Sequence, residues 1–141
     1  ADANNYTFAQ PSPLSANITA RPITITAATS TKTYDGGTTS ANTPTITAGT
    51  LAAGDTLNIL TQTFDTKNAS VTAGDKTLTV AAPSFSAGLA SNYTITLQTA
   101  TGTINKAALS VTGLTANNKI YDALTTATLS GTAALGGTVF G

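Results

Sequence analysis

The sequence predicts an all-β protein in which two antiparallel sheets pack face to face, and three observations carry that prediction. Apolar and polar residues alternate with a period of two in several short runs, as in strands with one buried face. Thr alone fills 32 of the 141 positions, and its β-branched side chain suits a pleated surface. No stretch shows the 3.6-residue period of an amphipathic helix. We therefore expect a sandwich whose outer faces are rich in Thr.

The strands follow one another between turns that contain glycine. The run 22–26 places two isoleucines on one face and threonines on the other, and the runs 77–80 and 93–97 repeat this alternation. Turns are predicted at Asp35-Gly36-Gly37, Ala48-Gly49, Gly54-Asp55, Gly74-Asp75 and Ala87-Gly88. We expect seven or eight short strands between residues 20 and 105. The predicted core consists of Ile23, Ile25, Tyr34, Ile46, Leu57, Ile59, Phe64, Leu78, Val80, Tyr93, Ile95, Leu97 and Ile104.

An internal repeat organises the chain into modules. Asn5-Tyr6-Thr7 returns as Asn92-Tyr93-Thr94, and Lys32-Thr33-Tyr34-Asp35 returns as Lys119-Ile120-Tyr121-Asp122, each 87 residues later. The run 22–26 returns as 108–112, 86 residues later. These offsets predict the tail of a preceding repeat at 1–19, one complete repeat at 20–105 and the start of a following repeat at 106–141. We expect the chain to be a piece of a longer tandem array.

The junctions between the predicted modules are short. The segments 18–23 and 104–109 lead from the last strand of one module almost directly into the first strand of the next, and neither contains Gly. Pro22 adds a fixed φ angle at the first junction. We therefore predict a stiff rod of β-modules.

The composition excludes most catalytic chemistry. Glu, His, Cys, Met and Trp are absent, and six Asp balance six Lys and Arg. Without His or Cys the chain lacks a Ser-His-Asp triad, a Cys nucleophile and an ordinary zinc site, so we predict that it is not an enzyme and has no cofactor or metal. Zero net charge argues against binding to nucleic acid or anionic membranes, and no run of about 18 apolar residues could insert into a membrane. The chain begins at Ala1 without a signal-peptide pattern, which we interpret as a mature form or an excised piece.

The motifs also carry a family resemblance. The stretch 32–39, which reads Lys-Thr-Tyr-Asp-Gly-Gly-Thr-Thr, resembles the signature of the YDG repeat and of the related mostly bacterial Ig-like (MBG) repeats. Such repeats occur in large secreted adhesins, similar to filamentous haemagglutinin, that Gram-negative bacteria export by two-partner secretion. The resemblance implies an Ig-like sandwich with a stalk or adhesive role, and it implies no catalytic residue. In the second copy Ala123 follows Tyr121-Asp122, which puts in doubt any need for a positive φ angle at Gly36.

The repeated motifs are also the candidate sites. Tyr34-Asp35 and Tyr121-Asp122 could contact a ligand, or the Asp could cap a turn while the Tyr packs at a sheet corner. Their recurrence in each repeat favours the structural interpretation, because a fold determinant must recur and a binding site need not. Asn92-Tyr93 and its copy at residues 5–6 mark an equivalent strand start.

Four other patterns have a functional and an ordinary interpretation. Sequons for glycosylation occur at Asn5, Asn17, Asn68 and Asn92, at about the frequency that chance predicts. Thr-x-Thr pairs, as at 24–26 and 94–96, could order water against ice, but an 87-residue period contradicts a short coil repeat. Asp55 and Asp75 suit turns better than a calcium site, which needs six to eight oxygens. A Lys–Asn isopeptide crosslink is a further option for which no lysine offers a cue.

The leading functional prediction is a non-catalytic structural and adhesive module in the stalk of a secreted or surface-attached bacterial fibre. Its partners would be neighbouring repeats or identical subunits, together with a surface receptor or glycan. The alternatives are a module that binds a glycan or host protein, the subunit of a strand-exchanged extracellular filament, and an ice-binding protein.

Overall fold

The computed structural model describes residues 5, 7, 12–13 and 15–140. Tyr6, which belongs to the first copy of the repeated Asn-Tyr-Thr, lies outside the described residues. The described part folds into eleven strands and contains no α-helix. The strands are β1 Arg21–Thr26, β2 Ser30–Thr33, β3 Thr45–Ala48, β4 Thr56–Leu57, β5 Gln62–Phe64, β6 Lys76–Val80, β7 Phe85–Ala87, β8 Tyr93–Gln98, β9 Ala100–Asn105, β10 Ser110–Ala116 and β11 Leu129–Gly136.

The described strands form four sheets, so the prediction of an all-β chain is confirmed. The orders are β3-β1-β8, β2-β9-β6-β5, β4-β7 and β10-β11. Nine strands lie between residues 20 and 105, all of which the structure describes, against the seven or eight expected. A 3-10 turn at Ala90–Asn92 leads into β8. Within the described residues, no helix has the length and apolar character that crossing a membrane requires.

Two parallel ladders correct the prediction of wholly antiparallel sheets. The pairs β1–β3, β5–β6, β6–β9 and β4–β7 are antiparallel as expected. However, β1 lies parallel to β8 and β2 lies parallel to β9. Both ladders keep a constant offset of 72 residues, as in Arg21↔Tyr93 and Thr33↔Asn105. Because partners so far apart in sequence leave no local signal, alternation alone could not predict their direction.

The parallel ladders set where the chain enters and leaves residues 21–105, the part of the fold that we call the module. The backbone N–H of Ala27 donates to the carbonyl of Gln98 at 2.9 Å, so the two chain segments stay paired between the sheets. Only Thr99 separates β8 from β9, and a single residue cannot reverse the strand direction. The chain therefore enters beside Tyr93, at what we call the Arg21 end, and leaves beside Thr33, at what we call the Asn105 end. The two ends are roughly 30–40 Å apart at the rise of extended strands.

One core joins the two larger sheets. Its buried apolar residues are Ile23, Ile25, Ala27, Phe64, Leu78, Val80, Tyr93 and Ile104, which come from β1, β5, β6, β8 and β9 and from the residue that follows β1. Seven of these eight were predicted. Tyr34, Ile46, Leu57 and Ile95, also predicted, are partly buried against this cluster.

The prediction of Ile59 and Leu97 as core residues is wrong. Ile59 is 88% exposed because it lies in the connection between β4 and β5 rather than in a strand. Leu97 is 42% exposed because β8 forms an edge of its sheet within the described residues.

The polar residue Gln62 is buried in the interior, which the sequence analysis did not predict, and only 2% of its surface is exposed. Its amide is satisfied by Ala28, whose backbone N–H and carbonyl each lie 2.7 Å from it.

Residues 106–140 form a separate hairpin next to the Asn105 end. In this segment β10 and β11 pair antiparallel, from Ser110↔Gly136 to Ala116↔Leu129. Gly137, just past β11, has a φ angle of +104° and lies close to the carbonyl of Ala108. Gly49, just past β3, has a φ angle of +74° and faces the carbonyl of Pro22 in the same way. The β10–β11 hairpin thus has the local geometry of the β1–β3 pair.

Candidate functional site

The predicted Tyr-Asp-Gly turn lies at the Asn105 end of the module. Strand β2 stops at Thr33, and the backbone N–H of Tyr34 donates to the carbonyl of Asn105 at 2.8 Å. The turn therefore starts where β9 ends. Residues 34–37 consequently lie beside the point at which the chain passes toward β10.

Lys32, which lies in β2 just before the turn, holds the turn in place through hydrogen bonds. The Lys32 ammonium donates to the Asp35 carboxylate and to the Gly37 carbonyl, both at 2.7 Å. The Asp35 carboxylate also accepts the backbone N–H of Gly37 at 3.0 Å, which makes the turn an Asx-turn. The Lys32 hydrogen bond, followed by that of Gly37, lowers the pKa of Asp35 below its usual value. Lys32 also lies 5.5 Å from the centre of the Phe64 ring, which ties the turn to the core.

The same three hydrogen bonds recur 87 residues later. The Lys119 ammonium donates to Asp122 at 2.6 Å and to the Leu124 carbonyl at 2.7 Å. The Leu124 backbone N–H donates to Asp122 at 3.0 Å, and the Lys119 hydrogen bond again lowers the pKa of the carboxyl group. Neither motif needs a ligand to satisfy its charges. The capping interpretation of Asp35 and Asp122 therefore agrees with the geometry.

Both copies hold a left-handed residue after the aspartate. Gly36 has a φ angle of +78°, and Ala123 has a φ angle of +60°. The loss of glycine from the second copy put the positive angle in doubt, and the structure shows that the angle is kept. Ala123 accepts it although a Cβ makes this region unfavourable by about 1 kcal/mol. The turn geometry therefore comes from the lysine–aspartate hydrogen bond as well as from the glycine. We call this bond, Lys32–Asp35 in the first copy and Lys119–Asp122 in the second, the Lys-Asp clamp.

The turn of the first copy packs against the C-terminal hairpin segment. The rings of Tyr34 and Phe140 meet edge to face, with their centres 5.8 Å apart. A Cβ placed on Gly36 would lie 2.8 Å from the Cβ of Phe140, so glycine also permits this close approach. An open cleft of about 310 Å³ lies beside the contact, lined by Tyr34, Ala69, Lys106, Ala107, Leu109, Thr138, Val139 and Phe140.

The predicted Asn92-Tyr93 pair lies at the other end of the module. Tyr93 begins β8 opposite Arg21 and is 7% exposed. Its hydroxyl donates to the Asp55 carboxylate at 2.6 Å and accepts the backbone N–H of Ala52 at 2.8 Å. The bond to Asp55 raises the pKa of Tyr93. Asn92 is exposed and ends the 3-10 turn.

The sequence-predicted residues therefore belong to three separate places rather than to one site. Tyr34, Asp35 and Gly36 lie at the Asn105 end, and Tyr93 is anchored to Asp55 at the Arg21 end, next to the exposed Asn92. Tyr121 and Asp122 lie in the second copy of the turn, where the Tyr121 side chain is 90% exposed. Sequence reasoning missed Lys32 and Lys119 as partners of the aspartates, although their shared 87-residue offset was a usable signal. It also missed Asp55 as the partner of Tyr93 and Phe140 as the partner of Tyr34, and no such signal exists for these two pairs.

The remaining acidic residues also serve the fold. Hydrogen bonds from the Ser70 hydroxyl and from the backbone N–H of Val71 lower the pKa of Asp75 from 3.8 to about 2. The carboxylate of Asp75 thereby closes a turn before β6. Among the described residues, no three Asp, Glu, His or Cys side chains come close enough together to hold a metal ion. The sequon residues Asn5, Asn17, Asn68 and Asn92 are all exposed.

Comparison with known protein families gives a match. Residues 19–102 match the family model described as the YDG domain, which covers more than half of the 141 residues. The matched range includes both the turn at residues 32–37 and the pair Asn92-Tyr93. A search of curated proteins and a search of solved structures each found no match.

Proposed function

The chain belongs to the YDG domain family, and we propose that it is a non-catalytic structural and adhesive module in the stalk of an extracellular bacterial fibre. Its task in this proposal is mechanical, since the module holds a binding tip away from the cell surface and carries the tension between them. The single observation that carries the proposal is the pair of parallel ladders, in which β1 pairs with β8 and β2 pairs with β9.

These ladders suit a load applied through the ends of the module. Tension would enter at Ala20 and leave at Lys106, at opposite ends of two segments that lie side by side. Six residue pairs join β1 to β8, and four join β2 to β9. Force directed along the strands shears all these pairs at once, whereas force across a hairpin breaks its bonds one after another. The force at which a protein unfolds rises as its rate of unfolding falls. Because all the pairs must break together, the barrier is higher and the rate is lower.

The proposal takes the module to be an Ig-like sandwich in a tandem array. The β3-β1-β8 and β2-β9-β6-β5 sheets share one core, in agreement with a sandwich. The recurrence of the Lys-Asp clamp at Lys119 and Asp122 supports the array. The contact between Tyr34 and Phe140 supports a stiff junction, because it joins the end of one module to the segment that follows.

Single-molecule force spectroscopy on the full chain tests the mechanical role. Handles attached at the two termini should give one high-force event for residues 20–105, with a gain in length of roughly 250 Å. The control attaches the handles at Thr61 and Ala81, which face each other at the open end of the β5–β6 hairpin. That geometry peels the hairpin and should unfold the module at a several-fold lower force. Equal forces in the two geometries would contradict a shear-loaded stalk.

Electron microscopy of the native surface material tests the fibre itself. An extended filament with regular spacing is the expected result. A compact particle without periodicity would favour the alternative function, a module that binds a glycan or host protein, and glycan arrays would then be the next experiment.

A further inference from the structure

A polar cleft of about 340 Å³ lies along strands β2 and β9 of the module. Its volume is at the small end of the range for ligand sites, roughly 300–1,000 Å³. Its hydroxyl and amide groups come from Thr29, Ser30, Thr31, Asn42, Thr101 and Thr103. All of the lining residues fall between positions 29 and 103, so the cleft is built within the module and does not depend on the segments that flank it.

The Ser30 hydroxyl is a polar group without a protein partner. Ser30 is only 7% exposed, and within the part of the chain that the structure describes its hydroxyl takes part in no hydrogen bond. No fully enclosed polar side-chain atom of the described residues lacks a partner, so this hydroxyl is open to the cleft that Ser30 lines. An unpaired hydroxyl at such a depth costs free energy, which a ligand that bonds to it would recover.

Two further groups of the cleft are oriented by the fold. The Asn42 side-chain Nδ2 donates to the carbonyl of Thr29 at 2.6 Å, which leaves the Asn42 Oδ1 atom as an acceptor. The Thr103 hydroxyl accepts the backbone N–H of Gly74 at 2.8 Å, which leaves its own proton to donate. Together with Ser30, which can donate and accept, these groups present both kinds of hydrogen-bonding partner and need little ordering when a ligand binds.

The residues of the cleft do not recur in the second repeat, unlike the turn beside them. The Lys-Asp clamp returns 87 residues later, whereas Thr29-Ser30-Thr31 just before it is replaced by Ala116-Asn117-Asn118. The turn therefore does not require a serine at position 30. Because a fold determinant must recur and a binding site need not, the difference favours a role that is specific to this repeat.

The chemistry of the lining selects an uncharged ligand that is rich in hydroxyl groups. No charged side chain lines the cleft, and the lysines of β2 and β6, Lys32 and Lys76, pair with Asp35 and Asp75 instead. An anion or a cation would therefore find no opposite charge in the lining. No apolar side chain lines it either, so a lipid chain or an apolar peptide side chain would gain little burial. Sugar hydroxyls donate and accept hydrogen bonds, as the groups of the cleft do.

We propose that this cleft binds a neutral saccharide, which is held by hydrogen bonds to the side chains of Ser30, Asn42 and Thr103. The site adds a binding function to the module and does not rest on its mechanical role. Because no aromatic ring lines the cleft for a sugar to stack on, the affinity of a single site is low.

An array that holds neutral, sialylated and sulfated glycans together with bacterial polysaccharides tests the class of ligand. The full chain is presented in many copies on beads, because multivalent display makes a weak site detectable. Binding to neutral saccharides is the expected result, and the array separates the two sources, a host surface glycan and a bacterial polysaccharide. Binding to none of the neutral saccharides, or to charged ones alone, overturns the proposal.

Thr31 and Thr33 provide a matched pair of variants. Both side chains are exposed and lie on the same face of β2, but only Thr31 lines the cleft. In calorimetry with the best neutral saccharide of the array, Thr31→Lys should abolish binding by filling the cleft, whereas Thr33→Lys should keep the affinity of the parent chain. The added charge is the same in both variants, so a non-specific electrostatic effect would be equal. Equal affinities of the two variants overturn the assignment of the site.

The substitution Ser30→Ala tests the unpartnered hydroxyl itself. It should keep the melting temperature of the parent chain, because the hydroxyl has no partner among the described residues. It should weaken saccharide binding by about 2–12-fold, which corresponds to the loss of one neutral hydrogen bond. An unchanged affinity in this variant contradicts a role for Ser30 in binding and overturns the proposal.

Amide spectra by NMR locate the bound saccharide. The backbone N–H of Gly74, which bonds to Thr103, should shift on titration more than those of Tyr34 and Ala52, which lie at the two ends of the module. Shifts confined to the two ends would place the saccharide elsewhere and overturn the proposal. The force experiment needs no saccharide, so the failure of either proposal leaves the other standing.

Discussion

The opposite faces of β1 provide the sharpest test of the fold, through the substitutions Ile25→Asp and Thr24→Asp. Ile25 is 0% exposed in the shared core, whereas the neighbouring Thr24 is only partly buried on the other face of the strand. A module of about 85 residues has a free energy of unfolding of roughly 4–13 kcal/mol. Ile25→Asp loses about 1.5–3 kcal/mol of apolar burial and adds several kcal/mol for burying a carboxylate. The sum is comparable to the whole stability, so the module should unfold.

A milder substitution gives a measurable magnitude. Ile25→Ala should cost about 2–5 kcal/mol through lost burial and a cavity in the core cluster that also contains Leu78 and Ile104. In urea this lowers the unfolding midpoint by about 1–3 M, at the usual dependence on denaturant. Circular dichroism is a suitable readout, because the chain has no Trp. Thr24→Asp should shift the midpoint by far less, since its side chain points away from the core.

The repeat supplies a second control at the same sequence position. Val111 corresponds to Ile25 but is 67% exposed, so Val111→Asp should leave the thermal unfolding of the module unchanged. Equal losses of stability in Ile25→Asp and Thr24→Asp would refute the assignment of faces in β1. Unfolding of the module by Val111→Asp would refute the separation of the hairpin from the core.

Four further substitutions test the two copies of the Tyr-Asp turn, the hydroxyl of Tyr93 and the turn closed by Asp75. Ala123→Gly should stabilise the second turn by about 1 kcal/mol by relieving its positive φ, whereas Gly36→Ala should destabilise the first, and equal melting shifts of one sign would contradict this. Tyr93→Phe leaves the backbone N–H of Ala52 without its partner and should cost about 1–3 kcal/mol in urea titrations. Asp75 has its pKa lowered to about 2, so its carboxylate stabilises the fold above pH 3.8, and this contribution is lost as the pH falls toward 2. Asp75→Asn should reduce the fall in melting temperature over that window, and an unchanged profile would show that this turn is unimportant.

The contacts of Tyr93 and Tyr34 at the two ends of the module bear directly on the mechanical proposal. Each end of the module has an aromatic residue anchored by a strand pairing: Tyr93 beside Arg21, and Tyr34 beside Asn105. The hydroxyl of Tyr93 is anchored to Asp55, while the ring of Tyr34 contacts Phe140 across the junction. Under that proposal, a load passing from residues 21–105 to the segment that follows would cross this second contact. Flexibility at the junction should therefore increase when Phe140 is replaced by Ala, in a measurement by small-angle scattering.

The sequence by itself determined the local elements. The alternation of Ile and Thr in the run 22–26 predicted which side chains of β1 face the core, because the pleat of a strand has a strict period of two. The glycines of the five predicted turns predicted where the chain reverses, and Gly36, Gly49, Gly54, Gly74 and Gly88 all have positive φ angles. The repeated Tyr-Asp motif also predicted the family. These features depend on near neighbours in the chain, so a linear sequence contains them.

Tertiary structure alone decided the features that join distant residues. The parallel direction of β1 and β8 depends on partners 72 residues apart, and the burial of Gln62 rather than Ile59 depends on the backbone of Ala28. Ala123 keeps its left-handed angle within the Lys119–Asp122 clamp. Even the uncovered Val111 differs from Ile25 through its surroundings and not through its local pattern. A side chain is buried only when another part of the chain covers it, and such contacts leave no trace in the local sequence.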